Sequence, residues 1–398
     1  MKVLWAHDHT FYFNDSGKFF SSGKLPYAVW ERYLSVFDEI TVASRAKKIS
    51  SETEIENKSL SSGKNVDFIV LPSLSNPVNK LTKKGYIERV LTESIQQADA
   101  VIARLPSEIG SEAIEIAKKL NKPFAIEMVA CAWDALWNYG NVQGKAYALF
   151  ATLKTKSQVK DAPFAIYVTK EFLQNRYPNA KGHTEGCSDV EIPETCSTIL
   201  DKRLNKIETA TKPVVLGLIG NLNGKTKGIA TALEALAKVQ SKLPPFQFRI
   251  LGGGEIGPWK ALAARLGLQE QVYFDGVLQS GEAVFQWLDE VDVYLQPSFQ
   301  EGLPRATVEA MSRGCPVIGS TAGGIPELID KRYLHKPGNE KHLARLIEEN
   351  ITNKTWLMEQ AKANFLKAGS YTKIHLDQNR QEFWEKFSRF VKEGGLQA

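Results

Sequence analysis

Short apolar runs bounded by glycine, proline or polar residues recur along this chain, and segments with apolar residues at helical spacing separate them. In the first half the runs fall at residues 3–6, 40–43, 68–71, 100–103, 123–129 and 164–168. Helical patterns lie between them: residues 26–37, opened by Pro26, then 81–97, 111–120, 144–159 and 170–176. The stretch 111–120 is typical, with Ala113, Ile116, Ala117 and Leu120 on one face. Strand–helix alternation at this pitch builds a doubly wound parallel sheet.

The alternation then starts again. A polar stretch at 191–211, with a helix inside it, reads as the connection between two domains. Beyond it, strands are expected at 214–219, 246–251, 272–274, 291–295 and 316–319, and helices at 228–240, 258–266 and 304–313. A chain of 398 residues is too long for one ordinary core. The expected plan is an α/β chain of two Rossmann-like domains, 1–190 and 191–370, followed by a helix within 371–398. Ligands of such folds bind at the carboxyl ends of the strands.

Composition narrows the function classes. Net charge of +5 and pI near 8.8 permit an acidic ligand or an anionic membrane surface. Nucleic-acid binding would call for a much stronger basic bias and is not expected. Cys131, Cys187, Cys196 and Cys315 form no Cys-x-x-Cys pair and read as free thiols in a reducing compartment. The opening Met1-Lys2-Val3-Leu4-Trp5-Ala6 meets His7 and Asp8 too early for a signal peptide, and no run approaches membrane-spanning length. A cytoplasmic protein is expected, with peripheral membrane contact compatible with Lys154, Lys156 and Lys160.

Four stretches carry the chemistry. After the run at 291–295 comes Pro297-Ser298-Phe299-Gln300-Glu301-Gly302-Leu303-Pro304-Arg305-Ala306-Thr307-Val308-Glu309-Ala310-Met311. Pro304 suits the first position of a helix, whose unpaired N–H groups and positive dipole make an anion site, and Gly302 lets a ligand approach the backbone. Glu301 falls in the loop and Glu309 in the helix. Two carboxylates flanking a phosphate-sized site suit a ligand that is both phosphate and polyhydroxyl, such as a nucleotide sugar. The second stretch, Gly220-Asn221-Leu222-Asn223-Gly224-Lys225-Thr226-Lys227-Gly228, is a glycine-rich turn between a strand and a helix, with lysine alongside to hold phosphate. It lacks the spacing of a Walker A loop. The third, Gly252-Gly253-Gly254-Glu255-Ile256-Gly257, satisfies a dinucleotide fingerprint, but it belongs to an interior β–α unit and no dehydrogenase apparatus accompanies it. The fourth, Gly319 to Leu328, is a further strand–turn–helix around Gly323-Gly324.

The Glu301-x7-Glu309 spacing with its Pro-Ser lead and Glu-Ala-Met helix resembles the retaining glycosyltransferases of family four. The resemblance spans nearly the whole length and is specific in the second domain. It implies the GT-B fold, two Rossmann-like domains facing across a cleft, with the last helix crossing back to the first domain. The Phe383, Phe387 and Phe390 stripe would serve that purpose. It further implies a sugar transferred from a nucleotide-sugar donor to a glycan or lipid-linked acceptor, with retention, without cofactor or metal, in cell-surface polysaccharide biosynthesis. Lys227 matches the family's phosphate-binding lysine, and Asn221 stands where many members have arginine. Glu309 would hold the ribose, Glu301 the donor sugar, and the backbone near Val277 the base. Gly23, Gly220, Gly302, Leu303 and Pro304 would line the donor. Many members carry a sugar-contacting histidine near residues 132–139, whereas this chain offers Asp134, with Trp133 or Trp137 as an apolar platform. His7 and His9 alternate onto one face, but no third metal ligand is evident. A nucleotide-sugar epimerase or phosphorylase on the same fold, and a non-catalytic sugar-nucleotide binder, remain alternatives.

Overall fold

The computed structural model describes the chain except residues 23–24, 50–53, 57, 75–78, 80–81, 138–141, 210–212 and 396–398, and except the side chains of 135, 137 and 142–146. It divides into two compact units, Met1–Cys187 with Asp377–Ala398, and Ser188–Leu376.

The first unit runs β1 (Lys2–Phe13), β2 (Phe19–Ser21), α1 (Tyr27–Leu34), β3 (Glu39–Lys48), β4 (Ser59–Leu60), β5 (Val66–Val70), α2 (Lys84–Gln97) and β6 (Ala100–Leu105). It continues through α3 (Glu108–Lys119), β7 (Phe124–Met128), α4 (Ala132–Trp137), α5 (Val142–Lys160), β8 (Phe164–Tyr167), α6 (Phe172–Arg176) and β9 (His183–Gly186). Among the described residues these strands form one nine-stranded sheet. Strands β5, β3, β1, β6, β7, β8 and β9 lie parallel in that order, and β2 and β4 add an antiparallel edge. Burial on both faces explains the apolar runs: every residue of β7 is buried, including Glu127. That carboxylate is matched by the Tyr33 hydroxyl at 2.7 Å and the Arg104 guanidinium at 3.5 Å, since an unpartnered buried charge would be costly.

The first strand runs further than the apolar run at residues 3–6: His7-Asp8-His9 forms the middle of β1, which continues to Phe13. The ladder to β3 shifts register between Ala6 and Thr10, the mark of a bulge. Ser44 Oγ donates to the His7 and His9 carbonyls at 2.7 and 2.6 Å, and Arg45 Nε donates to the Asp8 carbonyl at 2.7 Å. These bonds satisfy backbone carbonyls at the bulge, while the side chains of His7, Asp8 and His9 meet the Arg104 carbonyl, the Glu108 N–H and Ser21 Oγ.

The second unit runs α7 (Ser197–Thr209), β10 (Val214–Ile219), α8 (Ile229–Val239), β11 (Phe246–Leu251), α9 (Gly257–Arg265), β12 (Val272–Gly276), α10 (Glu282–Glu290) and β13 (Val293–Gln296). Then come α11 (Arg305–Ser312), β14 (Val317–Ser320), α12 (Ile325–Leu328), β15 (Leu334–His335), α13 (Glu340–Asn350) and α14 (Lys354–Ala368). Its sheet is parallel in the order β12-β11-β10-β13-β14-β15. The order reverses between β10 and β13, so the loops after these two strands flank the switch point where doubly wound sheets bind ligands.

The last helix, α15 (Lys373–Lys392), buries Phe383, Trp384 and Phe387 in the first unit from Asp377 onward. Trp384 meets Tyr33 and Phe37, and Phe383, Phe387 and Phe390 surround Phe164. Aromatic contacts of this kind add to an already large apolar burial.

Candidate active site in the second unit

Strand β13 is buried throughout and ends in a polar side chain, Gln296. That placement is stable because every polar atom finds a partner. Gln296 Oε1 accepts from the Tyr294 hydroxyl and from Thr307 Oγ1, each at 3.0 Å, and Nε2 donates to Ser298 Oγ at 2.7 Å and Glu301 Oε1 at 3.0 Å. Tyr294 in turn accepts the Ile219 N–H at 3.2 Å. Glu301 is thereby tied to the end of β10, the strand on the other side of the switch point.

Glu301 Oε1 gathers three donors: Lys227 Nζ at 2.7 Å, Ser298 Oγ at 2.8 Å and Gln296 Nε2 at 3.0 Å. Its Oε2 receives no hydrogen bond from the described residues. With the Glu301 side chain 9% exposed and Lys227 28% exposed, the pair is semi-buried and little screened. The resemblance's two key residues thus meet directly although they lie 74 positions apart.

Backbone contacts lock the two loops together. The Phe299 N–H donates to the Thr226 carbonyl at 2.7 Å. Gly228 caps α8 at φ +71°, and a Cβ there would lie 2.0 Å from the Pro297 carbonyl oxygen. Only glycine fits both conditions. On the other flank, Gly324 N–H donates to the Gly302 carbonyl at 2.7 Å and Ser320 Oγ to the Ser298 carbonyl at 2.6 Å. The Gly323-Gly324 turn therefore holds the motif loop from behind.

Helix α11 begins at Arg305, with Pro304 as its N-cap and no side chain capping it. This corrects the expectation by one residue: Pro304 precedes the helix instead of opening it. The dipole and the uncapped N–H groups at this end favour an anion. The C-terminus closes on Gly314 at φ +65°, with Cys315 N–H donating to the Ala310 carbonyl at 3.0 Å. Glu309 lies on α11, is 9% exposed, and makes no hydrogen bond through its carboxylate to the described residues. Burial pushes its pKa up from the ordinary value, and Arg305 one turn earlier opposes the shift.

In the glycine-rich turn, Asn221 Oδ1 accepts the Asn223 N–H at 2.8 Å, so the residue standing in for arginine shapes its own loop. The Lys227 side chain lies across Gly220, where a Cβ would meet its Cγ at 2.6 Å. The fingerprint-like glycines have a packing role. Gly252, at φ +152°, abuts the Gly220 carbonyl, and Gly254 abuts Asn223. Asp275, the acid that follows, is held by Arg249 Nε at 2.8 Å and Trp287 Nε1 at 2.6 Å. Val277 projects from the end of β12, 74% exposed.

The remaining candidates lie in the first unit. Asp134, on α4, sits 3.6 Å from Arg176, Trp133 packs against the core, and the Trp137 side chain lies outside the described residues, as does Gly23. His7 and His9 do not share a site: His7 Nδ1 bonds the Arg104 carbonyl at 3.1 Å, and His9 Nε2 bonds Ser21 Oγ at 2.9 Å. Sequence reasoning missed Tyr294, Gln296 and Ser298. A glutamine closing an otherwise apolar strand, two residues before the Ser298 of the motif, was the available signal.

Known proteins place these loops in context. The family described as Glycosyl transferases group 1 matches residues 213–353. Protein CapJ of Staphylococcus aureus is 32% identical over 394 residues, covering 99% of this chain and 97% of that protein. The amylovoran biosynthesis glycosyltransferase AmsK of Erwinia amylovora is 31% identical over 174 residues, 41% of this chain and 42% of its own. Among solved structures, Anabaena HepE in complex with UDP-glucose superposes with a TM-score of 0.61 at 18% identity, covering 97% of this chain and 100% of its own. WaaG, a glycosyltransferase involved in lipopolysaccharide biosynthesis, does so with 0.58 at 16%, covering 99% and 100%. Similarity at this level carries the fold, which is GT-B. With a relative of 32% identity over nearly its whole length, and a family match spanning the loops of Lys227, Glu301 and Glu309, the chain belongs to the group 1 glycosyltransferases.

Proposed function

We propose that this glycosyltransferase moves a sugar from a nucleotide-sugar donor to a glycan or lipid-linked acceptor during assembly of a cell-surface polysaccharide, with retention and without a metal ion. The observation that carries the donor assignment is the junction of Lys227, Glu301 and the uncapped start of α11 at the switch point of the sheet. AmsK, named for amylovoran biosynthesis, and HepE, solved with UDP-glucose, support the polysaccharide and nucleotide-sugar readings.

In this reading the glycosidic bond to the diphosphate breaks, and its electron pair leaves on the phosphate oxygen. The acceptor hydroxyl oxygen forms the new bond to the anomeric carbon, and its proton passes to the departing phosphate on the same face. Lys227 and the α11 dipole stabilise the charge developing on the diphosphate. Gly220, Asn221, Gly302, Leu303 and Pro304 bring backbone close to it, Glu309 accepts from the ribose hydroxyls, and backbone near Val277 meets the base. Glu301 turns its second oxygen to the donor sugar, and Asp134 contacts sugar or acceptor.

The test is release of nucleoside diphosphate from UDP-, GDP-, ADP- and TDP-sugars with and without added glycan or lipid extract. A transferase releases it in proportion to glycosylated product. Donor epimerised with no acceptor present would replace the transfer reading with an epimerase.

A further inference from the structure

Arg305 is the first residue of α11, and it is exposed. On electrostatic grounds an arginine is out of place there. The first turn of α11 holds no acidic residue and no side chain caps its N–H groups, so the guanidinium faces the positive end of the helix dipole. Among the described residues it makes no hydrogen bond and no ion pair. A cation held against the dipole without a counter-ion costs the fold stability and is accounted for by an anion that arrives from outside.

Its position points the same way. Residues four apart on a helix stand one above the other, about 6 Å apart along the axis. Arg305 therefore shares a face of α11 with Glu309, one turn nearer the helix start, and its charge opposes the burial that raises the Glu309 pKa. Glu309 is 9% exposed and its carboxylate has no hydrogen-bond partner among the described residues. One helix face thus presents an unpaired acceptor and then an unpaired cation, an order that suits hydroxyls followed by phosphate.

Charge at the junction agrees. Lys227 is paired with Glu301 at 2.7 Å, and Glu309 adds a second carboxyl group. One ammonium against two carboxyls leaves little positive charge for two phosphates, and Arg305 restores the balance. Glu301, the partner of Lys227, is assigned to the donor sugar and Glu309 to the ribose. The order sugar, phosphate, phosphate, ribose then sets Lys227 at the sugar-side phosphate and Arg305 at the nucleoside-side phosphate.

We propose that Arg305 binds the nucleoside-side phosphate of the donor through its planar guanidinium. The proposal rests on the transferase reading and divides the diphosphate between two cations with different tasks. When the glycosidic bond breaks, new charge arises on the sugar-side phosphate and the other phosphate changes little. Arg305 therefore holds the ground state and the transition state alike, which lowers KM, whereas Lys227 acts on kcat.

Metal-free titration of the full chain with UMP and UDP, GMP and GDP, AMP and ADP, and TMP and TDP tests it. The pair whose diphosphate binds the unaltered chain is the probe. Arg305→Met keeps the reach of the side chain and removes its charge. It should weaken monophosphate and diphosphate alike, each by at least about tenfold. Lys227→Met should weaken the diphosphate and leave the monophosphate unchanged. Arg305→Lys should recover part of the loss, and Arg305→Met should melt no lower than the unaltered chain, since a cation has left the positive end of α11. In turnover the Arg305→Met loss should fall on KM, with kcat changed by no more than about twofold. Unchanged affinity in Arg305→Met, or a loss confined to the diphosphate, overturns the proposal. So does a monophosphate loss that follows Lys225→Met, the exposed lysine of the glycine-rich turn, instead of Arg305→Met. If no diphosphate binds even to the unaltered chain, the transferase reading has failed and the proposal falls with it.

Discussion

Removing the Lys227 ammonium is the sharpest perturbation of the proposed donor site. In Lys227→Ala, Glu301 keeps the Ser298 and Gln296 donors on the same oxygen, so its orientation survives and the fold loses one semi-buried, charge-assisted hydrogen bond, roughly 1–3 kcal/mol. The functional cost is larger because the ammonium is assigned to charge that grows as the diphosphate leaves. Hydrogen bonds to charged groups are worth roughly 1.5–3 kcal/mol, which converts to a loss in kcat of about tenfold to two-hundredfold. The assay is turnover at saturating donor, with thermal unfolding in parallel. A variant that melts within a few degrees of the unaltered protein yet turns over at least tenfold more slowly fits the account. Unchanged turnover would refute the diphosphate role of Lys227. A collapse in stability with proportionate loss of turnover would show that the pair serves the fold.

Two further predictions concern the same loops. Burial raises the Glu309 pKa above the ordinary 4.5, so in the folded protein it holds its proton over a pH window where the unfolded chain has lost it. Stability therefore falls as pH rises from 4.5 through the raised value. Glu309→Gln should abolish that dependence and stabilise the unliganded protein at neutral pH, while nucleoside diphosphate affinity, which needs the carboxylate as acceptor, falls by about tenfold. Affinity in the unaltered protein should decline on acidification through the same window; a pH-independent affinity would remove the ribose role. Gly228→Ala forces a side chain into φ +71° and against the Pro297 carbonyl. It should cost about 2 kcal/mol or more and lower the melting temperature by several degrees, and an unshifted melt would contradict the described packing of the two loops.

The central strands of both sheets are legible in the sequence because burial on both faces demands apolar runs, as in β8 and β10. Edge strands carry no such demand. Among the described residues His183-Thr184-Glu185-Gly186 pairs only with β8, and its composition does not mark it as a strand. The middle of β1 was hidden for another reason: the side-chain partners of His7, Asp8 and His9, namely the Arg104 carbonyl, the Glu108 N–H and Ser21 Oγ, come from other parts of the chain. Glu301, Lys227 and Glu309 stood out through spacing. The support for Glu301 did not, since Tyr294 and Gln296 act through hydrogen bonds that no local pattern encodes. Asn221 shows the converse. Its departure from the resembled arginine is plain in sequence, and its role in the turn becomes visible only when Oδ1 is placed on the Asn223 N–H.

The central claim is that the loops after β10 and β13 hold a nucleoside diphosphate without help from a metal. Calorimetric titration with UDP, GDP, ADP and TDP, first without divalent ions and then with magnesium, tests it directly. The account predicts tight binding of one of the four in the absence of metal, little changed by magnesium and lost in a Lys227→Ala, Glu309→Ala double variant. Binding of none of them, or binding only when magnesium is present, would contradict it.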